Sequence, residues 1–188
     1  MGHAPKNAEF VPLDIAVLTV SDTRTEEDDR SGGVLVERLK EAGHKLYGKA
    51  IVKDDIYQLR SIVSQWIADN QIKVILITGG TGFSDRDSTP EAVSPLLDKQ
   101  IEGFGELFRQ FSFEEIGTST IQSRALGGIA NNTVIFCMPG SPGACRTAWD
   151  RVIVEQLDLR HRPCNFVAML SKKMPVPGAI ISVQGGVS

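Results

Sequence analysis

The chain has 188 residues, of which 41% are hydrophobic and 23% charged, with a formal net charge of −3. This length predicts one domain with a trailing segment, and the small negative charge argues against a general nucleic-acid-binding protein. No apolar stretch reaches the roughly 18 residues of a membrane-spanning helix, and the N-terminus lacks the apolar core of a signal peptide. Three cysteines without a CxxC spacing indicate reduced thiols, so we expect a cytoplasmic protein without a catalytic cysteine.

The first half of the chain alternates strand patterns with helix patterns. Residues 1–12 are predicted to form a flexible arm, and the acidic, polar segment 25–30 to form a solvated loop. Apolar runs predict buried strands, and apolar residues three and four positions apart predict amphipathic helices. The predicted order is strand 15–20, helix 33–42, strand 45–52, helix 56–67 and strand 74–77. Gly43 is expected just beyond its helix, where a positive φ is common.

The second half predicts further helices and one hairpin. Asn131-Asn132 lies between two apolar runs and suits a tight turn with positive φ, so one strand pair is expected to be antiparallel. Trp66 and Trp149 lie on apolar helix stripes and are predicted to be core residues. Beyond Pro163, the composition predicts irregular structure. The predicted elements are helix 90–97, helix 103–113, strand 125–129, strand 133–138 and helix 144–156.

This alternation predicts a three-layer αβα fold whose sheet is mostly parallel, with one antiparallel hairpin. We expect the α/β domain to span residues 13–167 and a C-terminal extension to occupy 168–188. In such a sheet, ligands bind beyond the carboxyl ends of the parallel strands. Three loops are predicted to meet there, namely Ser21-Asp22, 78–87 and 139–143, and Asp54-Asp55 is a candidate for a fourth.

The glycine-rich run at 78–82 directly follows the strand predicted at 74–77 and leads toward a helix start. Glycines at such a place let main-chain N–H groups approach phosphate oxygens without interference from side chains. The alternative is a tight turn that needs positive φ. The run is neither the dinucleotide pattern GxGxxG nor a Walker A loop, so it specifies neither an NAD enzyme nor a P-loop ATPase.

Acidic side chains accompany these loops. Asp87 lies just ahead of a helix start, where it could favour the helix dipole or hold Mg²⁺, which uses one or two carboxylates together with substrate phosphates. Asp54 and Asp55 precede the helix predicted at 56–67, and either could be its N-cap. These patterns indicate a nucleotide or phosphorylated ligand that is handled with a metal.

Two other helix starts carry N-capping patterns. Ser88 and Glu91 have the spacing of a capping box, with Pro90 in the first turn. Ser141 and Pro142 are likewise predicted to be an N-cap and a first-turn proline. A helix N-terminus that follows a glycine can also bind an anion. The start at Ser141 therefore has two interpretations, a structural one and a ligand-binding one.

The motifs together resemble the MoaB/MogA family of molybdenum cofactor biosynthesis proteins, which includes the G domain of gephyrin. The resemblance rests first on Ile-Thr-Gly-Gly-Thr-Gly at 77–82, Asp-Ser-Thr-Pro-Glu-Ala at 87–92 and Met-Pro-Gly-Ser-Pro at 138–142. It covers residues 10–167 and leaves out 171–188. Further agreement, which places the chain nearest the MoaB branch, lies at 15–22, 102–106, 112–119, 147–149 and 162–166.

The resemblance implies molybdopterin binding and assembly as a homotrimer or homohexamer. In the active members it implies Mg²⁺- and ATP-dependent adenylylation of molybdopterin, which yields adenylyl-molybdopterin and pyrophosphate. Asp54 and Asp87 match the two acids of those members and are expected to be catalytic and to hold the metal. The residues expected to bind ligand are Ser21, Asp22, Thr78, Gly79, Gly80, Thr81, Gly82, Gly140, Ser141 and Pro142.

Other functions remain open at this point. A molybdopterin carrier without turnover would use the same pocket, and an oligomeric scaffold is disfavoured because no long second domain is present. A nicotinamide or flavin enzyme is disfavoured because GxGxxG is missing.

Overall fold

A computed structural model describes residues 7–170, in which strands and helices alternate as predicted. The strands are β1 (Asp14–Val20), β2 (Lys45–Val52), β3 (Val74–Thr78), β4 (Lys99–Gln100), β5 (Leu126–Ala130) and β6 (Thr133–Met138). The helices are α1 (Arg30–Glu41), α2 (Ile56–Ala68), α3 (Thr89–Val93), α4 (Glu102–Ile116), α5 (Pro142–Ala148), α6 (Val154–Gln156) and α7 (Val167–Leu170). No helix in this part of the chain combines the length and the apolar character that crossing a membrane requires.

The six strands form one mixed sheet in the order β2-β1-β3-β6-β5-β4. The pairs β1–β2, β1–β3 and β3–β6 are parallel, whereas β5–β6 and β4–β5 are antiparallel. The turn between β5 and β6 has φ values of 45° at Asn131 and 66° at Asn132, which confirms the predicted hairpin. The predicted fold class, mostly parallel with one antiparallel hairpin, is also confirmed.

Alternate residues of the central strands face opposite helical layers, because successive side chains of a strand point to opposite faces. Ile15 and Val17 of β1 pack in a core with α1, α4 and the buried Trp149. Ala16 and Leu18 pack in a second core with α2 and α3. Every residue of β3 and β6 is buried, as expected of strands covered on both faces. Trp66 is partly buried against the second core.

The C-terminal end of α1 lies where the sequence predicted it, whereas its N-terminal end does not. Gly43 follows the C-cap with a φ of +88°, as its predicted position requires. The helix, however, starts at Arg30, three residues earlier than predicted, because the side chain of Asp29 caps it by accepting from the N–H of Gly32. The charged segment before the helix therefore ends in a buried capping residue.

Several short elements differ from the sequence prediction. The helix predicted at 144–156 is interrupted by a π turn at Trp149–Ile153. Strand β4 and a 3₁₀ segment at Gly117–Gln122 were not predicted, and α7 includes residues 168–170 of the extension expected to be irregular. Residues 1–6 and 171–188 lie outside the described part of the chain.

Phe10, in the segment predicted to be a flexible arm, packs on the domain beside His44. The two ring centroids are 5.1 Å apart, and the Arg160 guanidinium lies 5.2 Å from the Phe10 ring centroid. His44 Nδ1 accepts a hydrogen bond from the N–H of Leu13 at 3.2 Å. Burial lowers the pKa of His44, although the charge of Asp158 acts in the opposite direction. The neutral imidazole is therefore the form that this packing requires.

Candidate functional site

A cavity of about 400 Å³ lies where β1, β3 and β6 end, at the carboxyl edge of the sheet. The three loops predicted to gather there all contribute to its wall, as expected for a parallel α/β sheet. Gln122 and Ser123 complete the wall from the segment before β5, and no motif in the sequence had indicated them. The lining residues include Ser21, Arg24, Gly79, Gly80, Thr81, Gly82, Asp87 and Gly140.

The glycine-rich loop is shaped by close contacts as well as by the cavity. Gly79 has a φ of +102°, and a Cβ there would lie 2.2 Å from the carbonyl oxygen of Val20. Gly80 has a φ of +61°, and its Cβ would lie 2.4 Å from Asp54 Oδ2. The tight-turn interpretation therefore accounts for both glycines, because side chains would collide with the adjoining loops.

The amides of this loop differ in their availability to a ligand. Gly79 N–H donates to the carbonyl oxygen of Met138 at 3.0 Å, so this predicted phosphate donor is already used by the fold. Within residues 7–170, the N–H groups of Gly80 and Thr81 donate to no acceptor. The N–H of Gly82 is used by Asp87, so two of the four amides expected from the sequence are left for an anion in the cavity.

Asp54 and Asp55 have different tasks, which the sequence had left unresolved. Asp55 is the N-cap of α2 and accepts from the N–H groups of Tyr57 and Gln58 at 3.0 and 2.9 Å. Asp54 instead reaches the glycine-rich loop, where its Oδ1 accepts from the N–H and the hydroxyl of Ser88 at 3.0 and 2.6 Å. Asp54 is thus hydrogen-bonded to Ser88, the residue that follows Asp87 in the chain.

The predicted capping box at the start of α3 is wrong. Ser88 occupies the N-cap position, but its side chain makes no capping hydrogen bond, and its hydroxyl instead donates to Asp54. Glu91, the other expected member, pairs with Arg124 instead of reaching back to the N-cap. Both side chains therefore connect α3 to distant parts of the chain.

Asp87 lines the cavity and is held by its own loop. Its Oδ2 accepts from the N–H of Ser84 at 2.9 Å and from the Ser84 hydroxyl. The Ser84 hydroxyl holds the pKa of Asp87 below its ordinary value; partial burial opposes this, and the N–H groups of Ser84 and Gly82 reinforce it. A Cβ on Gly82 would lie 2.6 Å from Asp87 Oδ2, so this glycine makes room for the carboxylate. Asp87 is accordingly an anion beside the cavity at neutral pH.

Ser21 and Asp22 occupy different positions. Ser21 lines the cavity, and its hydroxyl oxygen accepts from the N–H of Arg24 at 3.2 Å. Asp22 lies outside the lining and accepts from the N–H of Asp54 at 3.2 Å and from the Arg86 guanidinium at 2.7 Å. Asp22 thereby connects the three loops that carry the candidate acids, a role that local sequence patterns did not indicate.

Most of the remaining predicted ligand-binding residues have structural contacts instead of lining the cavity. Thr78 is buried and donates to the carbonyl oxygen of Pro139 at 3.1 Å. Ser141 is the N-cap of α5, accepting from the N–H of Ala144 at 3.1 Å, and Pro142 begins that helix. The structure brings Gly140 to the cavity wall but places Thr78, Ser141 and Pro142 outside it.

A charged network that joins β1, β2 and the start of α1 could not be seen in the sequence. The side chain of Asp29 is fully buried and accepts from Lys49 Nζ at 2.9 Å and from the hydroxyl of Thr19 at 2.9 Å. Burial alone would raise the pKa of Asp29, but Lys49, the N–H of Gly32 and Thr19 together lower it. The solvated-loop prediction is therefore wrong for this residue. An Asp placed three residues before a glycine at a helix start was the available signal.

Arg24 links this network to the cavity. Its guanidinium donates to the carbonyl oxygen of Gly140 at 3.0 Å and to the hydroxyl of Ser31, and it lies 4.0 Å from Asp29. Arg24 is the one basic side chain among the described residues that line the cavity. Arg24 therefore adds a positive charge to a cavity wall that also carries the carboxylate of Asp87.

The donor set suits an open magnesium site rather than a closed metal cage. Within residues 7–170, no three His, Cys, Asp or Glu side chains converge on one point. Mg²⁺ does not need such a cluster, because it keeps several waters and takes one or two carboxylates with substrate phosphates. Both hydrogen bonds that Asp54 accepts from the described chain go to Oδ1, so Oδ2 can serve as a metal ligand. Asp54 and Asp87 therefore fit this ion.

An αβα fold whose mixed sheet has a polar cavity at the carboxyl ends of its parallel strands is typical of a ligand-binding α/β domain. The chain belongs to the family described as "Probable molybdopterin binding domain", which matches residues 16–159. It is thus a member of a protein family of molybdenum cofactor biosynthesis, and the resemblance found in the sequence is confirmed.

Individual relatives agree with this assignment. Molybdenum cofactor biosynthesis protein B of Escherichia coli K12 is 58% identical over 166 residues, which are 88% of this chain and 98% of that protein. A crystal structure of Molybdenum cofactor biosynthesis protein B has a TM-score of 0.76 at 49% identity, covering 78% of this chain and 92% of that one. The tungsten cofactor synthesizing protein MoaB from Pyrococcus furiosus has a TM-score of 0.68 at 35% identity, covering 79% and 92%.

Proposed function

We propose that the protein binds molybdopterin in the cavity and transfers an adenylyl group to it from ATP. A phosphate oxygen of molybdopterin forms a bond to the α-phosphorus of ATP, and the bond from that phosphorus to the β-bridging oxygen breaks. Pyrophosphate leaves with the bonding electron pair, and adenylyl-molybdopterin remains. The observation that carries this proposal is that Asp87 lines the cavity, while Asp54, which lies outside the lining, is hydrogen-bonded to the adjacent residue Ser88.

The residues present suit a reaction between two polyanions. The nucleophile is already a phosphate oxygen, so the protein needs no strong general base, and catalysis rests on positioning and charge stabilisation. The free amides of Gly80 and Thr81 and the Arg24 guanidinium would bind phosphate oxygens. Asp54 and Asp87 would hold Mg²⁺, which when bound supplies positive charge against the developing charge of the phosphates.

The test is a turnover assay with purified protein, molybdopterin, ATP and Mg²⁺, in which adenylyl-molybdopterin is separated by chromatography. We expect Asp87→Asn and Asp54→Asn each to lower kcat by about 10²–10³-fold, the usual effect of removing a preorganised charge-stabilising group. Glu37→Gln, an exposed change on α1, is the matched control and should keep the wild-type rate. Wild-type turnover in Asp87→Asn would contradict the proposed role of the loop acid.

A molybdopterin carrier without turnover is the second candidate. It is favoured by the fact that Asp54 and Asp87 already have partners in the chain, Ser88 and Ser84, as purely structural carboxylates would. Saturable binding of molybdopterin by the wild type, with no AMP transfer under any ATP and Mg²⁺ concentration, would identify the carrier. In that case the two Asn variants should retain binding.

We also propose that the protein assembles as a homotrimer or homohexamer, as the family resemblance implies. Exposed apolar side chains at the end of α4 and after it support an interface there, since such clusters mark association sites. Phe113, Ile116 and Ile121 are 56%, 50% and 79% exposed. Sedimentation equilibrium should give a trimer or hexamer mass for the wild type and a smaller species for Ile121→Glu. A wild-type protein that sediments as a monomer would refute this part.

A further inference from the structure

Arg124 joins two walls of the cavity. It directly follows the lining residues Gln122 and Ser123 and precedes β5. From this wall its Nε donates to the carbonyl oxygen of Thr81 at 3.0 Å, and its Nη2 donates to the carbonyl oxygen of Asp87 at 2.9 Å. The two acceptors lie at either end of the segment 81–87, so one guanidinium spans that whole segment.

The guanidinium is oriented from two further sides. Its Nη1 pairs with the carboxylate of Glu91 on α3, the side chain that the sequence had suggested for a capping box. Its carbon atom lies 5.1 Å from the ring centroid of Phe83, whose side chain is otherwise exposed. A planar guanidinium presents five donors in a fixed fork and can stack on a ring, whereas a lysine ammonium is a compact charge without this fork geometry.

These contacts point to a function for two residues that do not line the cavity. We propose that Arg124 is a positioning residue, which acts through the main chain of Thr81 and Asp87 to fix the position of the loop acid at the cavity wall. Glu91 orients Arg124 for this task. The inference rests on the proposed function, because the geometry that it fixes is that of Asp87 and of the free amide of Thr81.

The primary test compares Arg124→Lys with a matched control, Arg151→Lys. Arg151 makes the same kinds of contact, a 3.1 Å pair with Glu114 and stacking at 4.1 Å over Phe111, but it does not touch the glycine-rich loop. We expect Arg124→Lys to lower kcat about 10–100-fold, since small misplacements of a reacting group have effects of this size. The KM values should change less than about threefold, because bulk binding contacts are retained. Arg151→Lys should keep both constants.

A second readout does not depend on turnover. In Arg124→Lys, amide hydrogen exchange of residues 82–87 should become about tenfold faster, while exchange of the buried strand β3 and the melting temperature stay at wild-type values. A merely structural role for Arg124 would instead accelerate exchange in β3 as well or leave all segments unchanged. Either pattern would overturn the proposal.

Glu91 supplies the coupling test. Glu91→Ala should reproduce part of the Arg124→Lys defect, and the double variant should be no slower than Arg124→Lys, because both changes release the same guanidinium. Multiplicative effects would show that the two residues act separately and would overturn the proposed orientation by Glu91. If the wild type itself gives no adenylyl-molybdopterin, the proposed function fails, and the exchange pattern of the loop alone decides the positioning role.

Discussion

Replacing Asp29 by Asn removes a buried negative charge but keeps an oxygen that can cap α1. Asp29 is fully buried, and Lys49, whose side chain is 17% exposed, lies 2.9 Å from it. Removing one partner of a buried pair costs about 3–5 kcal/mol, because the other charge stays buried and unpaired. Lys49 can move its ammonium toward water, so we expect the lower part of that range or less, about 2–3 kcal/mol of unfolding free energy.

The assay is thermal and urea unfolding followed by circular dichroism at pH 7. At about 2–4 °C per kcal/mol for a chain of this size, the expected drop in Tm is about 4–12 °C. Asp29→Ala should cost about 1 kcal/mol more, since it also removes the helix cap. A stability of Asp29→Asn within about 0.5 kcal/mol of the wild type, the usual range for inert surface changes, would refute the reasoning.

The same pair predicts a dependence on pH. The pKa of Asp29 is lowered in the folded protein, so its ionised form contributes stability that is present above the unfolded pKa and lost as pH falls through the folded value. The stability gap between wild type and Asp29→Asn should therefore be constant from pH 7 to 5 and should shrink below about pH 4. A gap that persists unchanged down to pH 2 would contradict this origin.

Three further outcomes follow from the described residues. The lowered pKa of His44 means that the folded state loses stability as pH falls below about 6.5, and urea unfolding of His44→Asn should show a flatter profile between pH 7 and 5. Gly80→Ala should destabilise and distort the Asp54 contact, whereas Gly33→Ala, with open space around its Cβ in α1, should stabilise by about 0.5–1 kcal/mol in the same assay. A thiol reagent at pH 8 should modify the exposed Cys164 quickly and Cys145 only on unfolding, because burial raises the pKa of Cys145 to about 11; rapid labelling of two thiols would contradict this.

The parts of the fold that were predicted correctly depend on local patterns. Strands β1, β3 and β6 are buried on both faces, and such strands appear in the sequence as continuous apolar runs. Gly43 and the Asn131-Asn132 turn adopt positive φ, which few residue types tolerate, so composition indicates the conformation. Strand β4 escaped prediction because its two exposed residues carry no periodicity and depend on pairing with β5.

The candidate loops could likewise be located from the sequence, because a glycine-rich turn that follows a buried strand must lie at the carboxyl edge of a parallel sheet. The contacts that each polar side chain makes within these loops could not be predicted from the sequence. Capping patterns consider partners within three or four residues, whereas Ser88 donates to Asp54, 34 positions away, and Arg24 donates to Gly140, 116 positions away.

The sequence by itself thus determined the fold class, the family and the edge of the sheet where the cavity lies, since these follow from periodicity and motif order. Only the tertiary structure decided that Asp55 caps a helix while Asp54 reaches the loop, that Asp29 is buried with Lys49, and that Arg124 spans the segment 81–87. The physical reason is that a carboxylate or guanidinium binds whichever partners the packed sheet brings within hydrogen-bonding distance, and that distance is set by contacts far apart in the chain.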